Sequence, residues 1–488
     1  MASPSVETVV SNGARLSPLV LDVDDALLRT DLLHETAVAY VKTNPLRIFD
    51  ILFWLVKGKA ILKRKLSERV LLDVDRLPVN QDLAAFAQQA HDSGRLVGIA
   101  TAADELLARR IARRFDFVQF VVASDGSTNL KGPLKAMALG ERFPQGFTYA
   151  GDSPADLAVW SAASSIVLAN ASGRTTTKAR RLGRPIEAEF RDAPLGWRGW
   201  AKALRVHQWA KNALVLAPLV LAGMVGQPAA LASAAVALVA MSLMASGTYL
   251  INDIFDLAAD RAHWSKRHRA LASGALPIRR GVPLAMVLIA GSLGAGAWLG
   301  PASLAVLATY MATTLGYSFY LKRQPIVDAF ALATLFTLRL GLGIAAVGCV
   351  ASPWLLVFSM FLFSSLAFAK RQTEIQKSVA NGNAAVASRG YLASDAGLVL
   401  ALGIATAMGA ITIMVLYVMN DVYSAEIYRQ PLLLWVFPAA LYMWLSRIWL
   451  LCHREQLHDD PVAFAIRDRM SIGLGGLMAA ALLGGWLL

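Results

Sequence analysis

The chain is poor in cysteine: Cys349 and Cys452 are the only two in 488 residues. They are expected near opposite faces of a membrane, which argues against a structural disulfide, and no zinc-ligand cluster is present. Charge is scarce as well, at 17% of residues, against a hydrophobic fraction of 56% and a mean hydropathy of +0.49. That balance is too apolar for an ordinary soluble protein. A basic-then-apolar leader is also missing. The first apolar run after Pro18, Leu19–Leu21, is only strand-sized, so the front of the chain is expected to stay in the cytoplasm. There is no low-complexity segment.

Positive charge is in excess: 47 Lys and Arg less 34 Asp and Glu gives +13. In an apolar chain this excess belongs to cytoplasmic loops, and nucleic acid is not an expected partner. The basic residues gather in 174–211, 261–280, 322–323, 370–389 and 447–469. If long apolar segments alternate across a bilayer, all these loops fall on one side. The segments lie near 212–228, 230–251, 282–300, 303–321, 326–347, 353–369, 396–419, 432–451 and 471–488. The expectation is an all-α bundle of nine transmembrane helices over 212–488, in the inner membrane, with its C-terminus outside.

Residues 1–190 read differently. Short apolar strands alternate with amphipathic helical stretches, which predicts a soluble Rossmannoid α/β domain with a parallel sheet. A small helical cap is expected over about residues 32–78, basic and apolar around Trp54. The linker 191–211 mixes Trp197 and Trp200 with cations, as expected of a helix lying in the membrane interface.

Within the apolar half, Asn252, Asp253, Asp256 and Asp260 follow a span-length run. On a helix the three carboxylates fall within about 60° of one another. So crowded, they need a cation, and hard oxygen ligands with a diphosphate partner favour Mg²⁺. Lys266 and Arg267 follow closely. Arg339 lies mid-span, eleven residues after Asp328 and so on nearly the same helix face. An intramembrane arginine is costly unless paired, which makes it a functional candidate.

In the front half, Asp22 and Asp24 follow the strand Leu19–Leu21. Thr101 ends a strand over 96–100. Lys131 stands in a polar turn, and Asp152 and Asp156 follow a strand over 147–150. Such clusters at strand carboxyl ends converge on one crevice. A carboxylate there can attack phosphorus, and a second can protonate the leaving oxygen. In order and spacing, about residues 16–185 resemble the haloacid dehalogenase (HAD) superfamily of phosphatases. That resemblance implies that Asp22 is the nucleophile and Asp24 the general acid/base. It further implies that Thr101 and Lys131 bind phosphate, and that Asp22, Asp24, Asp152 and Asp156 form a Mg²⁺ site. Ala26 departs from the Thr usual in the first motif.

Residues 200–488 resemble the UbiA superfamily of intramembrane prenyltransferases, on the Asn252–Asp260 pattern and the nine apolar segments. The branch of closest resemblance transfers 5-phosphoribose from phosphoribosyl diphosphate (PRPP) to a polyprenyl (decaprenyl-type) phosphate. Its matches here are Lys211, Asn212, Tyr317, Lys322, Asp328, Arg339, Lys370, Arg371, Arg389, Tyr391, His458, Asp459 and Asp460. Where superfamily prenyltransferases usually carry a second Asp-rich motif, this chain has Lys370, Arg371 and Glu374. The resemblance implies Mg²⁺ in each domain and a bifunctional enzyme making polyprenyl-phosphoryl ribose, a precursor of lipid-linked ribose or arabinose donors. The competing expectations are an isoprenyl-diphosphate prenyltransferase beside an independent HAD domain, and a non-enzymatic membrane module. Oligomeric state stays open, and a homo-oligomer is compatible with the sequence.

Overall fold

The computed structural model describes residues 17–382, 384–386, 389–424, 427–457 and 461–487. The chain forms two compact units. One holds the residues up to Ala203 together with Asp253–Pro283; the other holds Leu204–Asn252 and the chain from Leu284 onward. The expected boundary near 190–212 is therefore incomplete, because the segment carrying the acidic motif groups with the α/β domain.

The first unit is built on six parallel strands: β1 (Leu19–Leu21), β2 (Val97–Asp104), β3 (Phe120–Ser124), β4 (Thr148–Gly151), β5 (Ser165–Ala169) and β6 (Ile186–Phe190). Their order is β3-β2-β1-β4-β5-β6. Leu19 and Leu21 pack with Val97 and Ile99 on one side, and Val20 packs with Tyr149 and Trp160 on the other. Burial on both faces is why β1 reads as an unbroken apolar run. From β1 the chain winds outward to β2 and β3, then returns to place β4 on the other side of β1. The switch point thus lies between β1 and β4, where a crevice opens at the strand carboxyl ends.

Between β1 and β2, over the stretch read as a cap, lie α1 (Leu32–Thr43), α2 (Ile48–Lys57) and α3 (Lys59–Arg69). Asp31 starts α1 by accepting the His34 N–H at 3.1 Å. Tyr40, Trp54, Leu62 and Leu66 form the cap's own small core. The parallel crossovers use α4 (Gln81–Asp92), α5 (Glu105–Ala112), α6 (Pro133–Arg142), α7 (Leu157–Ala162) and α8 (Gly173–Arg180). The linker forms α9 (Trp197–Ala203), with Trp197 and Trp200 exposed.

The second unit is helical. Its first expected span, 212–228, is not one helix. It is a 3₁₀ run (Val206–Leu216), a single α turn α10 (Ala217–Leu221) and another 3₁₀ turn (Met224–Gly226). Apolar composition suggested a span, but Pro218 lacks a donor N–H and the left-handed Gly223 stops the helix. This run lies against α15, where Gly343 permits contact: a Cβ there would stand 2.1 Å from the Val215 carbonyl oxygen.

There follow α11 (Pro228–Phe255), α12 (Leu257–Ala262, in the first unit), α13 (Ile278–Leu299), α14 (Pro301–Phe319), α15 (Val327–Val347) and α16 (Pro353–Ala380). The chain ends in α17 (Ala396–Tyr417), α18 (Val436–His453), α19 (Pro461–Arg467) and α20 (Arg469–Leu487). Among the described residues, seven helical segments are long and apolar enough to cross a membrane, against the nine expected. α14 is helical but diluted by Thr309, Tyr310, Thr313, Thr314 and Tyr317.

Candidate functional site

The crevice at the β1–β4 switch point is a cavity of about 350 Å³ lined by Asp22, Asp24, Lys135, Asp152 and Asp156 among others. β1 delivers Asp22, whose Oδ1 accepts the Val23 N–H at 2.8 Å. Asp25 then adopts φ 57°, turning the chain sharply so that Asp24 faces the same cavity. Asp24 Oδ1 accepts the Leu32 N–H at 2.8 Å, and the Thr101 hydroxyl stands 3.5 Å from Oδ2. Thr101 is fully buried inside β2, which runs four residues beyond the strand expected over 96–100.

β4 delivers Asp152, and the turn after it delivers Asp156. Asp156 Oδ2 accepts from the N–H groups of Asp152 (3.2 Å) and Ser153 (2.9 Å) and from the Ser153 hydroxyl (2.8 Å). Gly151 makes room for this: a Cβ there would lie 2.8 Å from the Asp156 carboxyl carbon. Oxygens of Asp22, Asp152 and Asp156 lie within 4.8 Å of one another, a group able to hold a metal ion. Asp24, expected as a fourth ligand, lies outside that group.

The charge of this trio is poorly compensated. Burial, reinforced by Asp22 and Asp156, pushes the Asp152 carboxyl up to about 9. Burial pushes Asp24 up to about 7, with Asp31 and Asp22 adding repulsion. Burial likewise raises Asp22 to about 6, although Lys135 works against the shift. A divalent cation relieves such a site, and the oxygen-only donor set suits Mg²⁺.

Lys131 lines the cavity but is exposed. The lysine that touches Asp22 is Lys135: its Nζ lies 3.1 Å from Asp22 Oδ2 and donates to the Tyr149 hydroxyl at 2.7 Å. Tyr149 in turn donates to Asp156 Oδ1 at 3.2 Å. Sequence reasoning missed Lys135 and Tyr149. The available signal was a lysine on the apolar face of α6, one turn before the buried Leu139.

The acidic motif is not one helix face. α11 ends at Phe255, and Asp256 sits in the break before α12. Asp253 and Asp260 are buried, and Arg269 Nη1 bridges them at 3.1 and 2.7 Å. Lys42 of the cap stands 3.8 Å from Asp256. The adjoining Arg261 makes a buried two-pronged pair with Glu35 of α1, at 3.0 and 2.6 Å. Arg279, at the start of α13, reaches Asp25 at 3.3 Å and lines the crevice. Asn252 is half-buried, and Lys266 and Arg267 are exposed in a single 3₁₀ turn.

In the second unit, Asp328, Arg371, Tyr391, Tyr317 and Arg389 converge. Asp328 is sealed from solvent; the Tyr391 hydroxyl donates to it at 2.7 Å, and Arg371 Nε lies 2.6 Å away as an ion pair. Arg371 also pairs with Glu374, and Arg389 donates to the Tyr317 hydroxyl at 2.7 Å. Arg339 belongs to a different network, so its shared helix face with Asp328 brings no shared partner. It donates to Asn212 Oδ1 (2.9 Å), the Leu335 carbonyl (2.6 Å) and the Tyr310 hydroxyl (2.9 Å), all neutral. Its guanidinium and the Lys211 ammonium lie 5.0 and 5.9 Å from the Phe336 ring centre, two cations on one ring. Lys322 and Lys370 are half-buried. His458, Asp459 and Asp460 lie outside the described residues.

Residues 213–472, more than half the chain, match the sequence model of the UbiA prenyltransferase family. The chain belongs to the UbiA prenyltransferase family. Family membership and the seven long apolar helices make this UbiA protein an integral membrane protein. It is 37% identical over 467 residues to the uncharacterized protein y4nM of Sinorhizobium fredii, covering 96% of this chain and 90% of that one. It is 39% identical over 181 residues to the decaprenyl-phosphate phosphoribosyltransferase of Corynebacterium glutamicum, covering 36% of this chain and 54% of that protein. A solved UbiA homologue from Archaeoglobus fulgidus, bound to DMAPP and Mg²⁺, aligns at TM-score 0.46 and 14% identity, over 59% of this chain and 97% of that one.

Proposed function

We propose that this UbiA protein transfers 5-phosphoribose from PRPP to a polyprenyl phosphate and then removes the 5-phosphate, giving polyprenyl-phosphoryl ribose. The observation that carries the first step is the similarity to decaprenyl-phosphate phosphoribosyltransferase. The residues agree with it. Glu374 is the lone carboxylate where a second acidic motif would stand, and it is already spent on Arg371 and Arg389. One Mg²⁺–diphosphate site plus extra cations suits a donor with a diphosphate and a separate 5-phosphate, and an acceptor that is itself a phosphate.

In the transfer step, Asp253, Asp256 and Asp260 are the proposed holders of Mg²⁺–diphosphate. Asp253 and Asp260 are joined by Arg269 in this arrangement, and a bound diphosphate would offer that guanidinium other oxygens. Lys211 and Arg339, without a carboxylate partner for the latter among the described residues, suit the acceptor phosphate. That acceptor is already anionic and needs positioning more than a base.

For the second step, the HAD-like reading rests on the Asp22, Asp152 and Asp156 trio. Mg²⁺ held there would neutralise phosphoryl charge. Asp22 Oδ2 attacks phosphorus, forming an aspartyl-phosphate as the ribose 5-oxygen leaves. Asp24, largely protonated up to about pH 7, gives its proton to that oxygen. It then takes a proton from the water that hydrolyses the aspartyl-phosphate. Lys135 balances charge at Asp22 and fixes Tyr149 against Asp156. The basic-loop asymmetry supports an inner-membrane topology with the α/β domain in the cytoplasm and the C-terminus outside.

The test is mass analysis of lipids after incubating the protein with Mg²⁺, PRPP and a polyprenyl phosphate. Polyprenyl-phosphoryl ribose is expected from the wild type, and its 5-phosphate from Asp22→Asn. If Asp22→Asn still yields only the dephosphorylated lipid, the phosphatase assignment is wrong. The family match favours a second reading, prenyl transfer from an isoprenyl diphosphate. Product from that donor, with none from PRPP, would establish it.

A further inference from the structure

The cap carries a surface that neither proposed reaction uses. Seven of the eleven residues Leu46–Val56 are large apolar side chains left exposed: Leu46, Ile48, Phe49, Leu52, Phe53, Leu55 and Val56. Phe49, Leu52, Phe53 and Val56 recur at spacings of three and four, so they form one stripe along α2. The opposite side of α2 is spent inward: Trp54 and Ile51 pack with Tyr40, and Asp50 accepts the Tyr40 hydroxyl at 2.9 Å. A soluble domain rarely leaves so compact an apolar patch in water.

Its electrostatic frame identifies the occupant. The cations beside the stripe are Arg47, Lys57 and Lys59 against one anion, Asp50, a net charge of 3 − 1 = +2 over residues 46–59; Lys63, Arg64 and Lys65 are engaged with Asn129, Asp104 and Glu68. The Lys57 ammonium lies over the Phe53 ring, 4.3 Å from its centre. Aromatic and aliphatic side chains on one face, with cations flanking them, form the pattern of a helix seated among anionic lipid headgroups.

We infer that the exposed face of α2 docks on the anionic surface of the bilayer that the same chain spans. The proposal concerns the cap and stands whether or not the crevice below it hydrolyses phosphate. Because α3 follows directly and lines that crevice through Lys59 and Lys63, docking fixes one wall of the cavity to the membrane surface.

The test uses the full chain in nanodiscs, with Cys349 and Cys452 replaced by Ser and single cysteines introduced as Phe53→Cys or Val56→Cys. Glu141→Cys, an exposed position on α6, is the control. Each carries a spin label, and collision with oxygen is compared with collision with a water-soluble nickel chelate. With anionic phospholipid, labels at 53 and 56 should gain oxygen contact and lose nickel contact severalfold relative to 141. Adding Lys57→Glu and Lys59→Glu should reduce that difference while leaving the melting profile unchanged. Equal nickel access at 53, 56 and 141 overturns the proposal. Protection that persists in detergent, together with a doubled particle mass, also overturns it and assigns the face to a second copy of the chain.

Discussion

Replacing Glu35 with Ala isolates the contact that ties the acidic segment to the α/β fold. Glu35 and Arg261 are 4% and 7% exposed, and the carboxylate meets both terminal guanidinium nitrogens while accepting the Thr30 hydroxyl at 2.5 Å. After truncation Arg261 keeps only the Ala272 carbonyl at 3.0 Å. Stranding one member of a buried pair costs about 3–5 kcal/mol. Local opening of residues 257–276 should therefore become about 10²–10⁴-fold more frequent, read as lost amide-exchange protection. Replacing both partners, as Glu35→Leu with Arg261→Met, should restore most of it, to within about 1 kcal/mol, because no buried charge is then left unpaired. Loss of protection below about tenfold in Glu35→Ala would refute the reasoning. Transferase activity measured on the same variants should fall in the single and recover in the double, since Arg261 adjoins Asp260 in α12.

Metal and pH act together on the crevice. Unfolded carboxylates titrate near 3.9, whereas folding raises Asp22, Asp24 and Asp152 to about 6, 7 and 9. The folded state thus holds more protons, and in EDTA its stability should fall as pH rises from about 4 to 9. Mg²⁺ should restore it, most at the alkaline end; denaturant midpoints across pH check both arms. Arg339→Met removes a buried charge whose partners are neutral, so melting temperature should hold or rise while phosphoribosyl transfer drops by at least about 10²-fold. Arg371→Met leaves the sealed Asp328 carboxylate with only the Tyr391 hydroxyl and Arg389 at 4.0 Å among the described residues, and should instead cost about 3 kcal/mol in detergent unfolding. Gly343→Ala should destabilise by about 1–3 kcal/mol through its clash with the Val215 carbonyl. Gly341→Ala, which meets no atom within 4 Å, should show only a small change in the same assay.

Local chemistry made much of this molecule legible. The run Leu19–Leu21, the polar turns after it and after β4, and the long apolar segments announce a buried parallel sheet and a membrane bundle. Residues 212–228 misled because apolar content does not register where Pro218 and Gly223 interrupt hydrogen bonding. The acidic motif misled in the same way: ideal helical spacing hides the break at Asp256. Lys135 was invisible as a site residue because α6 must be placed on the sheet before its inner face is known to meet Asp22. Asp328 and Arg339 show the limit of periodicity. Both lie buried in α15, yet Arg371, 43 positions from Asp328, and Asn212, 127 from Arg339, decide what each side chain does.

The segment Asp253–Pro283 belongs to the folding unit of the α/β domain, although the helices on either side of it run on into the membrane unit. The place where the composition changes, near the linker, and the place where one compact unit ends are therefore different. A chain cut at Leu204 would keep every apolar helix, yet it would lose Glu35, Lys42 and the Arg29 backbone that abuts Gly274. What would remain is an acidic motif without the wall it is built against, so the two halves of this protein are separable as text but not as matter.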